Sequence, residues 1–429
     1  MKQVVIIGNG VAGITAARRI RKRSNHNITV ISSESPYFFS RTALMYVYMG
    51  HLKFEHIKPY EDGFWRKNRI DLAYDHAEHI DIEAKSVQLR SGKNLGYDTL
   101  IIASGSRSNV LDVHGRDLLG VQTLYSYHDL ERMESNTRGI RQAVIVGGGL
   151  IGVEMAEMLR SRNIDVTMLV REAAFWNNIL PIQEAKMISN HITSHGVVIQ
   201  HEEELQEIAT DGNEKVKAIY TRKGEQIPCD FVGITVGVHP NVSWLHDSGI
   251  KLKQGILVNE YLETNIPDVY AIGDCVEHLY PLEGRKNIEQ VWYTARMMGE
   301  VVAQTVTGLR TPYQPGPWFN SAKFFDIEYQ TYGIVPNIIP DEQDEFYWEH
   351  PQHKKAIHLV WDKNTNQLIG INSFGIRLRH EKFDQWLREK RSAKFVMDHL
   401  SQANFDPEFS DRHESEIRDQ FLRKELSVV

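Results

Sequence analysis

Cysteine is nearly missing from this chain: only Cys229 and Cys275 occur in 429 residues, far apart in sequence. That spacing excludes a C-x-x-C metal knuckle and suits a reducing compartment. Long apolar runs are missing too, so no segment reaches transmembrane length. There is no basic excess; the net charge of -7 argues against a nucleic-acid binder. The first strand starts almost at once and leaves no room for a signal peptide, so the expected location is cytoplasmic, with no membrane partner. No low-complexity tract and no tandem repeat stands out, apart from one glycine motif that occurs twice. What is left is an ordinary globular composition, 41% hydrophobic and 24% charged, on a chain long enough for two or three domains.

The chain is organised around its opening, Val4-Val5-Ile6-Ile7-Gly8-Asn9-Gly10-Val11-Ala12-Gly13. Four apolar, mostly β-branched residues predict a buried strand, and 14–23 reads as a helix. Between them Gly8, Gly10 and Gly13 fall in a G-x-G-x-x-G spacing. Gly8 permits the tight turn, Gly10 lets a pyrophosphate approach the backbone, and Gly13 lets helix and strand pack closely. The helix N-terminus then offers the phosphates unpaired N–H groups and a positive dipole end. A second strand over 28–31 ends near Glu34, about where a ribose carboxylate is expected. Arg41 follows, and 42–50 reads as an apolar helix, packed either on the sheet or beside a flat ligand.

Val144-Ile145-Val146-Gly147-Gly148-Gly149-Leu150-Ile151-Gly152 repeats the motif, with a helix through Arg160. Two such loops suit an enzyme that moves electrons between two dinucleotides. Glu154 lies one turn into that helix, where position alone favours a solvated carboxylate. The partner strand 166–171 ends Val170-Arg171, where an NAD-selective site would carry an acid. A guanidinium there pairs with a 2′-phosphate and tilts the reading to NADPH. Alternatively, Arg171 is solvated and Glu172 serves the ribose.

Three further segments end in small residues. Residues 97–106 form a strand ending Ala103-Ser104-Gly105; 231–237 form a strand ending at Gly237 and followed by Val238-His239-Pro240-Asn241. Residues 266–275 run as a strand into Gly273-Asp274 at an expected helix start. Asp274 either caps that helix or accepts a hydrogen bond from a cofactor hydroxyl, with Gly273 allowing close approach. Hairpins are expected at Ser91-Gly92-Lys93-Asn94 and Asp211-Gly212-Asn213. A helix is expected over 288–308, then a Pro-rich linker and strands over 323–332, 355–361 and 368–374. The charged segment 411–429 reads as helical or frayed.

In order, the Gly8, Thr99–Gly105, Gly147, Val236–Asn241 and Thr264–Asp274 motifs make residues 1 to about 330 resemble the FAD-dependent pyridine nucleotide–disulfide oxidoreductase superfamily. The resemblance implies an α/β fold: two Rossmann-like, three-layer ββα dinucleotide-binding domains plus a C-terminal α+β interface domain that usually makes a homodimer. It implies FAD on the first loop and Gly273-Asp274, over 1–112 and 238–312; NAD(P)H on the second loop, over 113–237; and the interface domain over 313–429. The redox-active cysteines of disulfide reductases belong on the 42–50 helix, which has none, so electrons must leave the flavin directly. What remains resembles the ferredoxin-, rubredoxin- and putidaredoxin-reductase branch. That likeness puts Glu154 near nicotinamide and flavin and Trp292 at the flavin face. It also puts Tyr46 where the branch usually has a lysine paired to the glutamate.

The implied activity is hydride transfer from NAD(P)H to flavin, then electron transfer to a small redox carrier. A basic stretch holding Arg377, Arg379, Lys382, Arg388, Lys390, Arg391 and Lys394 either docks an acidic carrier or is a solvated helix face. The rivals are a quinone reductase, a peroxide-forming NAD(P)H oxidase, and a slow-turnover NAD(P)H sensor.

Overall fold

The computed structural model describes residues 1–210, 212–281 and 284–427. They fall into two compact units. The first comprises Met1–Val110, Thr123–Arg138 and Gly237–Pro315; the second comprises Leu111–Gln122, Gly139–Val236 and Gly316–Val429.

The first unit is built on a five-stranded parallel sheet in the order Val269–Ala271, Thr99–Ile102, Gln3–Ile7, Asn27–Ser32, Ile70–Tyr74. Its central strands are continuous apolar runs because they are covered on both faces. Val4, Val5, Ile6, Leu100 and Ile101 have no exposed surface, and each such burial is worth about 1.5–3 kcal/mol. The helices Val11–Arg23 and Trp292–Val306 and the antiparallel sheet Ala77–Asp81, Ser86–Leu89, Asn94–Gly96 share this core. The turn expected at 91–94 closes the last hairpin, with the Gly92 N–H donating to Leu89 O at 2.8 Å.

Two helix expectations change here. The 42–50 helix is a 3-10 turn, Arg41–Ala43, followed by the short helix Leu44–Tyr48. No α-helix starts at Gly273-Asp274: a single 3-10 turn, Gly273–Cys275, feeds directly into the strand Val276–His278. The β-branched Val276 and its parallel pairing with Ile256 outweigh the capping tendency of the aspartate.

The second unit repeats the plan. Its parallel strands run Val197–His201, Asp165–Val170, Gln142–Val146, Phe231–Ile234, with the helices Leu150–Ser161 and Ile182–Ser194. A small antiparallel sheet, Leu205–Thr210, Val216–Thr221, Gln226–Pro228, packs its apolar face into the same core. Of the hairpin turn expected there, Asp211 lies outside the described residues. A five-stranded antiparallel sheet follows in the order Phe319–Phe324, Ile327–Gly333, Leu368–Phe374, Ala356–Asp362, Gln343–Glu349. The strand expected over 323–332 is thus two strands, folded back at Phe325, whose φ is +53°. The strand Gln343–Glu349 escaped notice because Gln343-Asp344-Glu345 hide its alternation. The charged C-terminal stretch forms the helix Glu414–Ser427, anchored by Ile417 and Phe421, four residues apart and each 1% exposed. Among the described residues no helix is long and apolar enough to cross a membrane.

Candidate active site

In the first unit the glycine loop is shaped by its neighbours. Gly8 has φ +112°, and a Cβ there would lie 2.1 Å from Ala103 O. A Cβ on Gly13 would lie 2.0 Å from Gly8 O, so strand, helix and the end of Thr99–Ile102 meet with no room for a side chain. Gly10 is the opposite case: nothing lies within 4 Å of where its Cβ would be. It stands at the N-cap of Val11–Arg23, with no side-chain cap and no acid in the first turn. Open space in front of unpaired helix N–H groups fits a pyrophosphate.

The Gly273 segment reaches the same loop, since a Cβ on Gly273 would sit 3.0 Å from Ala12 Cβ. Asp274 accepts a hydrogen bond from Ser106 Oγ at 3.1 Å, and Ser106 Oγ accepts one from Gln290 Nε2 at 2.6 Å. Burial pushes the Asp274 carboxyl up, against the pull of Ser106 and Arg41. Ser104 and Asn241 are tied together: Ser104 Oγ donates to Asn241 O at 2.9 Å. Gly105, at φ +69°, has the Tyr125 hydroxyl 3.2 Å from its Cβ position.

Glu34 is not a free acid. Arg41 donates to both of its oxygens, at 2.8 and 2.6 Å, and the Tyr127 N–H adds a third bond at 2.8 Å. Burial opposes its charge, but these donors hold the carboxyl below its usual range. Arg41 also donates to Tyr125 O at 2.8 Å and lies 4.6 Å over the Tyr125 ring. The arginine therefore positions Glu34 rather than reaching into the open loop.

The second loop has the same geometry. Gly147 has φ +123° and Thr235 O 2.5 Å from its Cβ position; Gly152 has Gly147 O at 2.6 Å; Gly149 has nothing within 4 Å. Gly149 is the N-cap of Leu150–Ser161, opening on Leu150 and Ile151, again with no side-chain cap and no acid in the first turn. Both cradles fit the pyrophosphate of a dinucleotide. Arg171 is 71% exposed and lies 3.7 Å from Glu172 Oε1.

Glu154 departs from the solvated carboxylate its helix position suggests. It is half-buried, and its carboxyl is pushed up to about 7, first by burial and then by Glu157, against Lys323. The Lys323 charge is already engaged, since Nζ lies 2.7 Å from Glu157 Oε1. A carboxyl near 7 can hold or release a proton at neutral pH.

Three other expected site residues sit in the first unit. Tyr46 is half-buried and stacked on His51 at 6.2 Å. Trp292 opens the helix Trp292–Val306, with the Arg296 guanidinium 5.7 Å over its ring. Gly237 has φ +92°, and its carbonyl accepts from Asn109 N at 3.0 Å. Both cysteines are sealed: burial pushes the thiols up, to about 11 for Cys275 and about 12 for Cys229. Neither supplies a thiolate near neutral pH.

Sequence reasoning missed Gly299, whose Cβ would lie 2.5 Å from Ala12 O and so sets the approach of the two helices. A glycine inside a strong helical pattern was its signal. It also missed Tyr125 and Tyr127, whose contacts with Arg41 and Glu34 cross more than 80 residues of chain.

A family model described as pyridine nucleotide-disulphide oxidoreductase matches residues 2–299. Among curated relatives, the chain is 28% identical to a nitrite reductase [NAD(P)H] of Bacillus subtilis, over 87% of this chain and 46% of that protein. It is 30% identical to an NADH oxidase of Methanocaldococcus jannaschii, over 78% of this chain and 76% of that one. It is 29% identical to a rhodocoxin reductase of Rhodococcus erythropolis, over 75% of this chain and 76% of that one. The chain thus spans about half the length of the first of these relatives and three quarters of the other two. With two glycine cradles in one chain, it belongs to the pyridine nucleotide–disulphide oxidoreductase family.

Proposed function

We propose that this chain oxidises NAD(P)H through FAD and passes the electrons to a small one-electron carrier of the ferredoxin or rubredoxin type. The observation that carries the reading is the pair of open glycine cradles in a chain whose two thiols are both sealed. When bound, FAD would supply a hydride acceptor for reduced nicotinamide and a donor of single electrons, which suits an iron–sulfur or rubredoxin acceptor.

The chain's own part is binding, orientation and charge. Gly8, Gly10, Val11, Ala12 and Gly13 hold the FAD pyrophosphate, with Glu34, locked by Arg41, toward the ribose. Ala103, Ser104, Gly105 and Gly237 leave room for the cofactor, and Gly273 and Asp274 offer it a close backbone and an acceptor. Gly147, Gly149, Leu150, Ile151 and Gly152 hold the nicotinamide nucleotide. Glu154 controls proton and charge near the reacting rings, and Tyr46 and Trp292 flank the flavin. Arg171 favours NADPH.

Steering of the carrier by the basic C-terminal stretch would fall mainly to Arg379, Lys382 and Lys390, because Arg377, Arg388, Arg391 and Lys394 each lie within 4.0 Å of a carboxylate. A homodimer is the proposed assembly, checked by sedimentation.

Stopped-flow mixing tests the main reading. The NADPH-reduced protein should reoxidise rapidly with a ferredoxin or rubredoxin from its own host; no transfer to any of them ends the carrier proposal. The likeness to an NADH oxidase favours a second reading, with oxygen as acceptor. Without a cysteine thiolate the product there is peroxide, so oxygen uptake with matching peroxide in the absence of any carrier would favour it.

A further inference from the structure

A cluster in the second unit has no part in that chemistry. His191 lies in the last turn of the helix Ile182–Ser194 and His195 is its C-cap, four residues on; their ring centroids are 4.5 Å apart. Asp326 comes to them from the turn between the strands Phe319–Phe324 and Ile327–Gly333. One donor atom from each residue lies within 4.8 Å of the other two.

Three observations bear on what this cluster can hold. His191 is 5% exposed, and its Nε2 lies 2.6 Å from Asp326 Oδ1, so a buried imidazole is set directly against a carboxylate. His195 Nδ1 lies 2.9 Å from the His191 carbonyl, so it is the Nε2 of that ring that faces Asp326, at 3.4 Å. A backbone carbonyl on the far nitrogen is the usual support for a metal-binding imidazole. Finally, Lys354 Nζ holds the other aspartate oxygen, Oδ2, at 2.9 Å, leaving Oδ1 for the histidines.

We propose that His191, His195 and Asp326 form a binding site for one zinc ion. Two imidazoles and a carboxylate suit zinc and disfavour magnesium or calcium, which want oxygen donors. A tetrahedral ion about 2 Å from each donor needs them roughly 3.3 Å apart. The His195–Asp326 pair already has that spacing. The His191–Asp326 pair must widen by less than about 1 Å, a small rotation of a carboxylate that is 53% exposed. Three protein donors leave a fourth position to water. Bound there, the ion ties the helix Ile182–Ser194 to the strand turn at Asp326.

The test uses full-length, flavin-loaded protein without an affinity tag, stripped with a chelator and titrated with zinc chloride against a chromophoric indicator. One ion per chain should bind at micromolar concentration or below and raise the thermal midpoint. His191 is too buried for a clean variant, so Asp326→Asn and His195→Gln serve, with flavin content as the check that each folds. Each should weaken binding about 10–100-fold. Lys354→Met should tighten it, because a like charge is removed. X-ray absorption should show two imidazole nitrogens in the first shell. Binding no tighter than millimolar, or binding unchanged in both Asp326→Asn and His195→Gln, overturns the proposal. So does weaker binding in Lys354→Met, which would mark an ion-pair network.

Discussion

The two glycine cradles share a plan and differ in what surrounds them. In each, the first glycine is pressed against a carbonyl from a neighbouring strand, the last against the first, and the middle one faces open space. Around the first cradle, however, the Glu34–Arg41 pair is fixed. Glu34 is held by three donors, Arg41 is held by Glu34, Tyr125 O and the Tyr125 ring, and Gly273 closes on Ala12. Beyond the second cradle, Arg171 and Glu172 are in loose contact at 3.7 Å, and Arg171 is largely in water. Groups already ordered lose little entropy when a ligand arrives, so the first cradle is prepared for tight retention. Charges that must be gathered from solvent cost binding energy and suit a ligand that exchanges. The contrast matches a resident flavin and a nicotinamide nucleotide that comes and goes.

The sharpest way to break the comparison is to place a charge in each open position. Gly10→Glu and Gly149→Glu meet no neighbour within 4 Å, and both positions have negative φ, so folding should survive. Each puts a carboxylate where a pyrophosphate would lie, weakening its ligand by about 100-fold or more. Gly10→Glu should purify colourless. Gly149→Glu should keep its flavin yet show a correspondingly raised KM for reduced nicotinamide. Loss of flavin from both, or from neither, would abolish the assignment of one ligand to each cradle.

Arg41→Ala probes the fixed charges. It strands Glu34, whose side chain is only 21% exposed; a removed partner of a buried pair costs about 3–5 kcal/mol, and partial solvation cuts this to about 1–3 kcal/mol. The matching change beyond the other cradle, Arg171→Ala, should alter stability by less than about 0.5 kcal/mol. Urea midpoints of the two variants measure the difference directly, and equal midpoints would remove the distinction.

Much of this plan was open to sequence reasoning, for a physical reason. A G-x-G-x-x-G turn is specified locally: strand, glycine spacing and helix lie within about twenty residues, and in both loops the first and last glycines are pressed against backbone while the middle one faces open space. Glu34 and Glu154 mark where that reasoning stops. Glu34 was expected from its distance along the chain, but its partners Arg41 and Tyr127 come from other elements. Glu154 looks like a solvated helix residue until the tertiary fold withdraws water from it. Sequence periodicity also joined 323–332 into one strand, because a tight turn at Phe325-Asp326 carries neither glycine nor proline to announce it. Local geometry is written in the sequence; desolvation and long-range pairing arise only when the elements pack.

Glu154 gives a pH-dependent test of that desolvation. Its carboxyl binds a proton more tightly folded, near 7, than unfolded, near 4.5. The folded state is therefore favoured most below about pH 4.5, and that contribution is lost as pH rises through about 7. Glu154→Gln should flatten the fall in stability across this window, an effect of up to about 3 kcal/mol. It should also remove a step near pH 7 from the rate of flavin reduction. An unchanged pH profile would return Glu154 to the solvated class.

The smallest expected effect concerns the choice of nucleotide, which turns on two adjacent side chains. A guanidinium pairs bidentately with a 2′-phosphate, and Arg171 has the freedom to swing to one. A carboxylate instead accepts from a ribose 2′-OH and repels the phosphate, and Glu172, 23% exposed, is the acid in reach. If the arginine selects, Arg171→Ala should raise KM for NADPH about 10-fold and leave NADH within about 2-fold. Glu172→Ala should then improve NADPH slightly by removing a competitor for the guanidinium. Should Arg171→Ala be silent while Glu172→Ala raises KM for NADH, the acid is the selector. The second cradle would then read the ribose as Glu34 is proposed to do in the first, and the two would differ only in how firmly their acids are held.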